Sequence, residues 1–326
     1  MFTPHSLGLA MAMMIATAIC WGSWANTYKG VKGYRFELFY WDYAIGIFLA
    51  ALLYAFTIGS SGHNSSSFTF NVHLADASNI GWAMGAGAIF NLANLLLVAG
   101  IEMAGMATAF PISIGIALVV GVFLSYVQQP QGNVAMLVAG VFCAILAVIL
   151  DGKAYAHLGA SRETSRKSIA VCIVSGILMG LWAPFSTRAL TAGMPLTPYG
   201  VVVFLTLGAL LSCFIWNFLF MANPLVGEPV KFGGFFEAPV SGHLLGLFGG
   251  FIWTTGTVFS LVAANFTGVA TSYAIGQSAP MVAALWGIFV WHEFRGANPK
   301  AKTYLGLMFL FYLMAIGFVA WAIRAR

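Results

Sequence analysis

The chain has 326 residues, of which 60% are hydrophobic and only 7% charged, with a mean hydropathy of +0.90. A soluble domain carries about 25% charged residues, so this composition excludes a water-soluble globular protein and defines a membrane-embedded one. The net charge of +5 does not point to nucleic acid, because the 14 Lys and Arg fall in short loops and at helix ends, where they set orientation and meet anionic lipid headgroups.

Requiring about 20 mostly apolar residues per crossing predicts ten transmembrane helices. They lie near residues 7–27, 38–59, 79–101, 105–127, 132–151, 168–189, 198–221, 241–264, 268–291 and 302–323. The expected fold is all-α and polytopic. The first span has no basic leader and no small-residue cleavage pattern, so it reads as a retained helix, and it carries Trp21 and Trp24 on one face. Asp42 falls one turn into the second span, between Trp41 and Tyr43. The stretch 60–78, with Asn64-Ser65-Ser66-Ser67, has no Lys or Arg and suits the outside. Asn91 and Asn94 share a face of the third span, which ends in Glu102 beside Gly105. The sixth span holds Trp182 and Phe185 around Pro184, with Arg188 as an anchor near its outer end. Tyr273, Gln277 and Pro280 share a face of the ninth, and His292 and Glu293 follow its end, where solvation is expected. Cys20, Cys143, Cys172 and Cys213 lie in or beside apolar spans with no C-x-x-C pair, which implies neither disulfides nor a metal site.

The second half of the sequence repeats the first. Gly105-Met106-Ala107-Thr108-Ala109-Phe110 returns 163 positions later as Gly268-Val269-Ala270-Thr271-Ser272-Tyr273. Upstream, Gly87, Asn91 and Asn94 share a register with Gly250, Thr254 and Thr257, and Phe90 matches Trp253. Each set is spaced i, i+4, i+7, so a polar stripe on one helix face is duplicated along with the hydrophobic pattern. This divides the chain into a first five-helix repeat at 1–151, a connecting loop at 152–167 and a second repeat at 168–326. Neither half is expected to stand alone, because polar faces in lipid need partners.

Basic residues orient the chain. Eleven of the 14, including Lys29, Arg35, Lys153, Arg162, Lys167 and Arg295, fall on one set of loops; Arg188, Arg324 and Arg326 fall on the other side. The central loop is therefore expected in the cytoplasm and both termini outside, in a multi-pass protein of the cell or inner membrane.

A duplicated polar stripe in lipid reads as a solute path, since related halves can rock about a site at their interface. Substrate contact is expected from Trp21, Trp24, Asn91, Asn94, Trp182, Trp253, Thr254, Thr257, Tyr273 and Gln277. Each has a structural alternative: aromatic rings in membrane helices also pack, and buried amides also bond a neighbouring helix. Asp42 and Glu102 are the carboxylates read as proton carriers, the alternative being that they reach the interface and pair with Lys29 or Arg35. Gly81 with Gly85, Gly176 with Gly180, and Gly242 with Gly246 form small-x-x-x-small faces that mark helix crossings. An intramembrane enzyme would need a nucleophile and base or metal ligands at depth; there is no H-E-x-x-H, and His243 and His292 sit near helix ends without evident partners, so no catalytic role and no cofactor is expected. A structural membrane protein would not need duplicated polar faces.

Trp21-Gly22-Ser23-Trp24, Tyr40-Trp41-Asp42-Tyr43, Trp286-Gly287-Ile288 and Glu293-Phe294-Arg295 resemble segments of plant ureide permeases. Gly268 to Tyr273, with Gln277 and the Trp286-Gly287-Ile288 stretch, is similar to bacterial glucose/ribose uptake proteins. Both belong with the rhamnose-proton symporters to one branch of the drug/metabolite transporter superfamily, and the resemblance covers nearly the whole chain. It implies a ten-helix, inverted-repeat carrier for a small polar organic solute, with protons or another ion as coupling partner and membrane lipid as surroundings. A ureide or nucleobase leads, a sugar follows, and export of drugs or metabolites is third. Plant ureide permeases carry a longer cytosolic central loop with a phosphate-loop-like sequence; this chain has a short loop and no G-x-x-x-x-G-K-[ST], so it departs there. Substrate identity, direction of transport and oligomeric state are left open by the sequence.

Overall fold

A computed structural model describes residues 1–61, 67–159 and 165–324. Arg162, Arg326 and Asn64 to Ser66, which entered the orientation argument, lie outside the described residues. Every regular element among those described is helical. In chain order they are α1 (Leu7–Ser23), α2 (Asn26–Lys29), α3 (Phe36–Phe56), α4 (Phe68–Leu74), α5 (Ala77–Ala104), α6 (Met106–Gln128), α7 (Val134–Ala156), α8 (Arg166–Thr191), α9 (Pro198–Ala222), α10 (Gly234–Glu237), α11 (Val240–Thr267), α12 (Val269–Gly276), α13 (Ala279–Phe289) and α14 (Pro299–Arg324).

Nine helical segments among the described residues are long and apolar enough to cross a membrane. The expected ninth span is instead split into α12 and α13, which are separated by Gln277 and Ser278. Pro280 supplies the reason: it lacks the amide that would continue the ladder, but fits the first turn of a new helix. The other ends follow local chemistry. Ser165 and Ser168 cap one another's backbone at the start of α8. Thr197 caps α9 ahead of Pro198, and the Asn133 side chain accepts from the Met136 amide at the start of α7.

Two-thirds (67%) of the most apolar stretch of α11 is buried and 56% of those of α5 and α9, against 33% for α6 and α14. The former helices therefore form the centre and the latter the periphery. Leu49, Phe123, Phe142, Ile215, Leu313 and Trp321 point outward over half exposed. A surface this apolar needs a hydrocarbon environment. The molecule is an integral, multi-pass membrane protein.

Central packing crosses between the halves. Helix α5 packs on α8 and α9, while α11 packs on α1 and α3. Glycines make these crossings close. A Cβ on Gly87 would run into the Leu205 carbonyl of α9, and one on Gly250 would lie 2.6 Å from the Tyr43 carbonyl of α3. In the opposite direction, Gly208 meets the backbone of Met84 and Gly46 that of Leu247. Among the expected small-residue pairs, Gly176 and Gly180 abut α6 and Gly246 abuts Asp42, but Gly81 touches nothing within 4 Å, so it marks no crossing. The helix pairs α5–α6 and α11–α12 each turn through one residue: Gly105 (φ 76°, ψ 157°) and Gly268 (φ 86°, ψ 150°). That backbone region is open essentially to glycine alone.

Candidate functional site

A cavity of 280 Å³ lies between α1, α5, α6, α7, α8, α11 and the α12–α13 break. It begins at the middle of the core helices, at Phe90 of α5 and Trp253 of α11, and runs toward the ends that carry Lys29, Ile101 and Tyr155. Its inner part is aromatic. The Trp21 ring stacks near Trp253 (centroids 6.5 Å apart) and meets the edge of Trp182 at 5.8 Å, while Phe90 lies 4.5 Å from Trp253. Offset and edge-on contacts of this kind are the favoured geometries of aromatic pairs, so the rings support one another along the wall.

Trp21 is fixed on three sides. Its ring covers Gly276 at the end of α12 and Gly256 of α11, where larger residues would collide, and its Nε1 donates to Thr257 Oγ1 at 3.2 Å. Trp24, Trp182, Trp253, Asn94 and Gln277 also line the cavity. Asn94 Nδ2 donates to the Tyr40 hydroxyl at 3.3 Å. Gln277 stands in the helix break, at the C-cap of α12. These polar groups face a predominantly apolar space, the usual composition of a small-molecule pocket.

The remaining expected contacts lie elsewhere. Asn91 is fully buried and its Nδ2 donates to the Ala209 carbonyl (3.2 Å) and Ser212 Oγ (2.8 Å) of α9. Thr254 donates to the Ile47 carbonyl of α3 at 3.0 Å. Thr257 donates to the Trp253 carbonyl and accepts from Trp21, so it supports the wall from behind. The Tyr273 hydroxyl donates to the carbonyls of Met179 and Ala117. Gly87 with Asn91 and Gly250 with Thr254 therefore do not face each other across a cavity; each pair seats against a helix of the opposite half, and of the two stripes Asn94 is the polar side chain that lines the cavity.

Asp42 and Glu102 are absent from the cavity lining. Asp42 Oδ2 accepts from the Tyr34 hydroxyl at 2.7 Å and lies 2.9 Å from His243 Nδ1, tying the start of α3 to α11. His243 thus has a partner, which 201 intervening residues conceal from a reading of the sequence. Burial, then the hydrogen bond to Asp42, holds the Tyr34 phenol above its ordinary value. The loop bases expected to neutralise Asp42 are engaged otherwise: Lys29 pairs with Glu293 (2.6 Å) and Arg35 with Glu37 (2.6 Å). Glu293 is not simply solvated, since it also accepts from the Tyr155 hydroxyl at 3.2 Å.

Asp151 is the acidic residue that does line the cavity, and no motif in the sequence singles it out. Its position at the predicted end of the fifth span reads as interfacial, but α7 continues for five residues to Ala156 and leaves Asp151 only 2% exposed. Phe90, Tyr155, Phe110 and Ile114 complete walls that hydrophobic periodicity does not distinguish from packing.

The family model for ureide permeases matches residues 39–170, a segment that contains Asp42, the cavity walls contributed by α5 and α6, and Asp151. The chain is similar to the ureide permeases. Ureide permease 1 and ureide permease 2 of Arabidopsis thaliana are 22% and 24% identical to it, over 97% and 98% of both chains. The first alignment runs over 380 positions, so that relative carries stretches that this ureide permease-like chain of 326 residues lacks. A probable glucose uptake protein of Staphylococcus aureus is 25% identical over 71% of this chain and 74% of its own length. A solved crystal structure, 14% identical, matches with a TM-score of 0.62 over 95% of this chain and 97% of the other, which shows a shared fold.

Proposed function

We propose that this ureide permease-like protein is a secondary transporter, not an enzyme, that moves a ureide or nucleobase-like solute across the membrane by alternating access. The observation that carries this reading is the convergence of Trp21, Phe90, Trp182 and Trp253 with Asn94 and Gln277 around one cavity between elements of both halves. A flat heterocycle stacks on indole faces, and its amide edges pair with side-chain amides that can both donate and accept. The broken α12–α13 helix beside the cavity supports the same reading, because discontinuous helices recur at transporter binding sites. The names of the relatives supply the solute class.

Two five-helix repeats, residues 1–151 and 168–326 joined by a cytoplasmic segment, are part of the proposal. Supporting this are the equal lengths of α5 and α11 (28 residues each), the single-glycine turns that follow both, and the reciprocal crossings of α5 on α9 and α11 on α3. The cavity runs toward the helix ends bearing Lys29 and the basic loops. By the distribution of positive charge those ends face the cytoplasm, giving an inward-open form with both termini outside. Uphill movement draws on a proton or other ion gradient.

Sugar is the second reading, favoured by the similarity to the staphylococcal glucose uptake protein and by the equal suitability of indole faces for pyranose rings. Purified protein in liposomes, assayed with labelled allantoin, uracil and glucose, decides. Saturable allantoin or uracil uptake that glucose does not compete with is expected; glucose-only uptake replaces the solute class; no uptake of any of the three removes the transport reading.

A further inference from the structure

We propose that the proton coupled to transport is carried by Asp151, a cavity-facing carboxyl, in place of Asp42 or Glu102. The inference rests on the transport reading above and assigns its ion-binding atom. Only 2% of Asp151 is exposed, yet it lines the cavity shared by Asn94 and Gln277. Its Oδ1 has no hydrogen-bond partner among the described residues. Asp42, by contrast, already accepts from Tyr34 and pairs with His243.

Among the described residues, the neighbours of Asp151 offer no free cation to balance it. Helix α7 packs against α14, α6 and α12. On α7 itself, the Tyr155 hydroxyl donates to Glu293, and Lys153 lies over the Tyr304 ring of α14 at 5.7 Å. From α14, Tyr312 is fully buried with its own hydroxyl unpartnered and within electrostatic reach of Asp151. From α6 the cavity wall is Met106, Phe110 and Ile114, and from α12 the Tyr273 hydroxyl is used by two backbone carbonyls. Glu293 adds negative charge, and Lys29 is held by Glu293.

An ionised carboxylate so placed loses hydration without gaining a counter-charge, and a bound proton removes that cost. In the cycle, one proton from water on the uphill side of the proton gradient forms an O–H bond with the Asp151 carboxylate while the cavity is open there. Reopening on the other side rehydrates the carboxylate, the O–H bond breaks and the proton passes to water. No other bond changes. Because proton and solute occupy one space, the loaded protein can reorient with both or with neither.

The test uses the full chain in liposomes with allantoin, uracil and glucose as probes, under an imposed pH gradient. The parent is expected to accumulate a probe up to about tenfold per pH unit for one proton. Asp151→Asn is expected to equilibrate without accumulation, and its exchange rate is expected to lose the pH dependence of the parent; Asp151→Glu is expected to regain both. Accumulation by Asp151→Asn like the parent, or exchange with an unchanged pH profile, overturns the proposal. If Asp151→Asn is inactive throughout, Asp151→Glu decides: gradient-driven accumulation supports the assignment, and its absence overturns it. Failure of the parent to transport any probe removes the transport reading and this one together, whereas parental uptake that ignores the pH gradient sinks only the proton assignment.

Discussion

Thr254 of α11 donates its hydroxyl hydrogen to the Ile47 carbonyl of α3 at 3.0 Å. Its register partner Asn91 does the same to Ala209 of α9 at 3.2 Å, and the glycine one turn earlier in each helix, Gly250 or Gly87, lets the backbones meet at the same two crossings. What the sequence duplicates is thus a joint between halves: a glycine for close approach and a polar side chain to latch the partner backbone.

Gly87→Leu and Gly250→Leu should both lower the melting temperature of detergent-solubilised protein strongly, because each side chain would have to displace helix backbone rather than a flexible neighbour. Overpacking of this kind costs about 1–3 kcal/mol or more. Gly81→Leu, with nothing within 4 Å, should melt within a degree or two of the parent. Equal melting of all three by fluorescence-detected gel filtration would show that the crossings are soft.

Asn91→Ala and Asn94→Ala should separate stability from solute affinity. The first removes the Nδ2 donor that ties α5 to Ser212 Oγ and the Ala209 carbonyl of α9, a loss of about 1 kcal/mol, with KM close to that of the parent. The second removes an amide facing the cavity and should raise KM roughly tenfold, the equivalent of one good hydrogen bond. The converse pattern in uptake kinetics would return the solute contact to Asn91.

Trp21→Phe keeps an aromatic ring but loses the Nε1 bond to Thr257 that fixes its plane. Uptake should show KM raised several-fold with the fold intact. Trp21→Ala should be much worse, because it also opens a void against Gly256 and Gly276. A KM for Trp21→Phe equal to the parent's would mean that ring orientation is set by Trp182 and Trp253 alone.

Asp42→Asn should leave pH-gradient-driven accumulation within about twofold of the parent and instead lower thermal stability, since His243 and Tyr34 would lose their shared acceptor. The Tyr34 phenol, held above its usual value of 10.0 by burial and by Asp42, contributes its stability fully below pH 10 and loses it as pH rises above that value. Tyr34→Phe should flatten the alkaline limb of a melting-temperature profile. Loss of accumulation in Asp42→Asn with an unchanged melting temperature would restore Asp42 as the coupling site.

Hydrophobic run lengths made the membrane architecture readable, and repeat spacing made the stripe at Asn91 and Thr254 readable. Periodicity tells which residues share a helix face; it does not tell what that face meets, and along one stripe Asn91 seats on the backbone of α9 while Asn94 lines the cavity. The break at Gln277 hides inside a long apolar run that Gly276, Ser278 and Pro280 interrupt only briefly. Trp21, Trp182 and Gln277 come together only through packing of α1, α8 and α12 across the two halves. Asp151 is hidden from such a reading because an acidic residue at the rim of an apolar stretch normally ends it, whereas here Tyr155 and four further residues continue the helix beyond it.

The one-residue turns at Gly105 and Gly268 leave no slack between α5 and α6 or between α11 and α12. Any rearrangement that opens the cavity to the other side must carry each pair as a stiff elbow, with strain appearing where longer connections allow it. Spin labels on the two arms of an elbow should therefore hold a constant separation whether solute is bound or absent. That distance gives an internal ruler against which changes between α7 and α8, or across the cavity, can be calibrated in a single spectroscopic experiment.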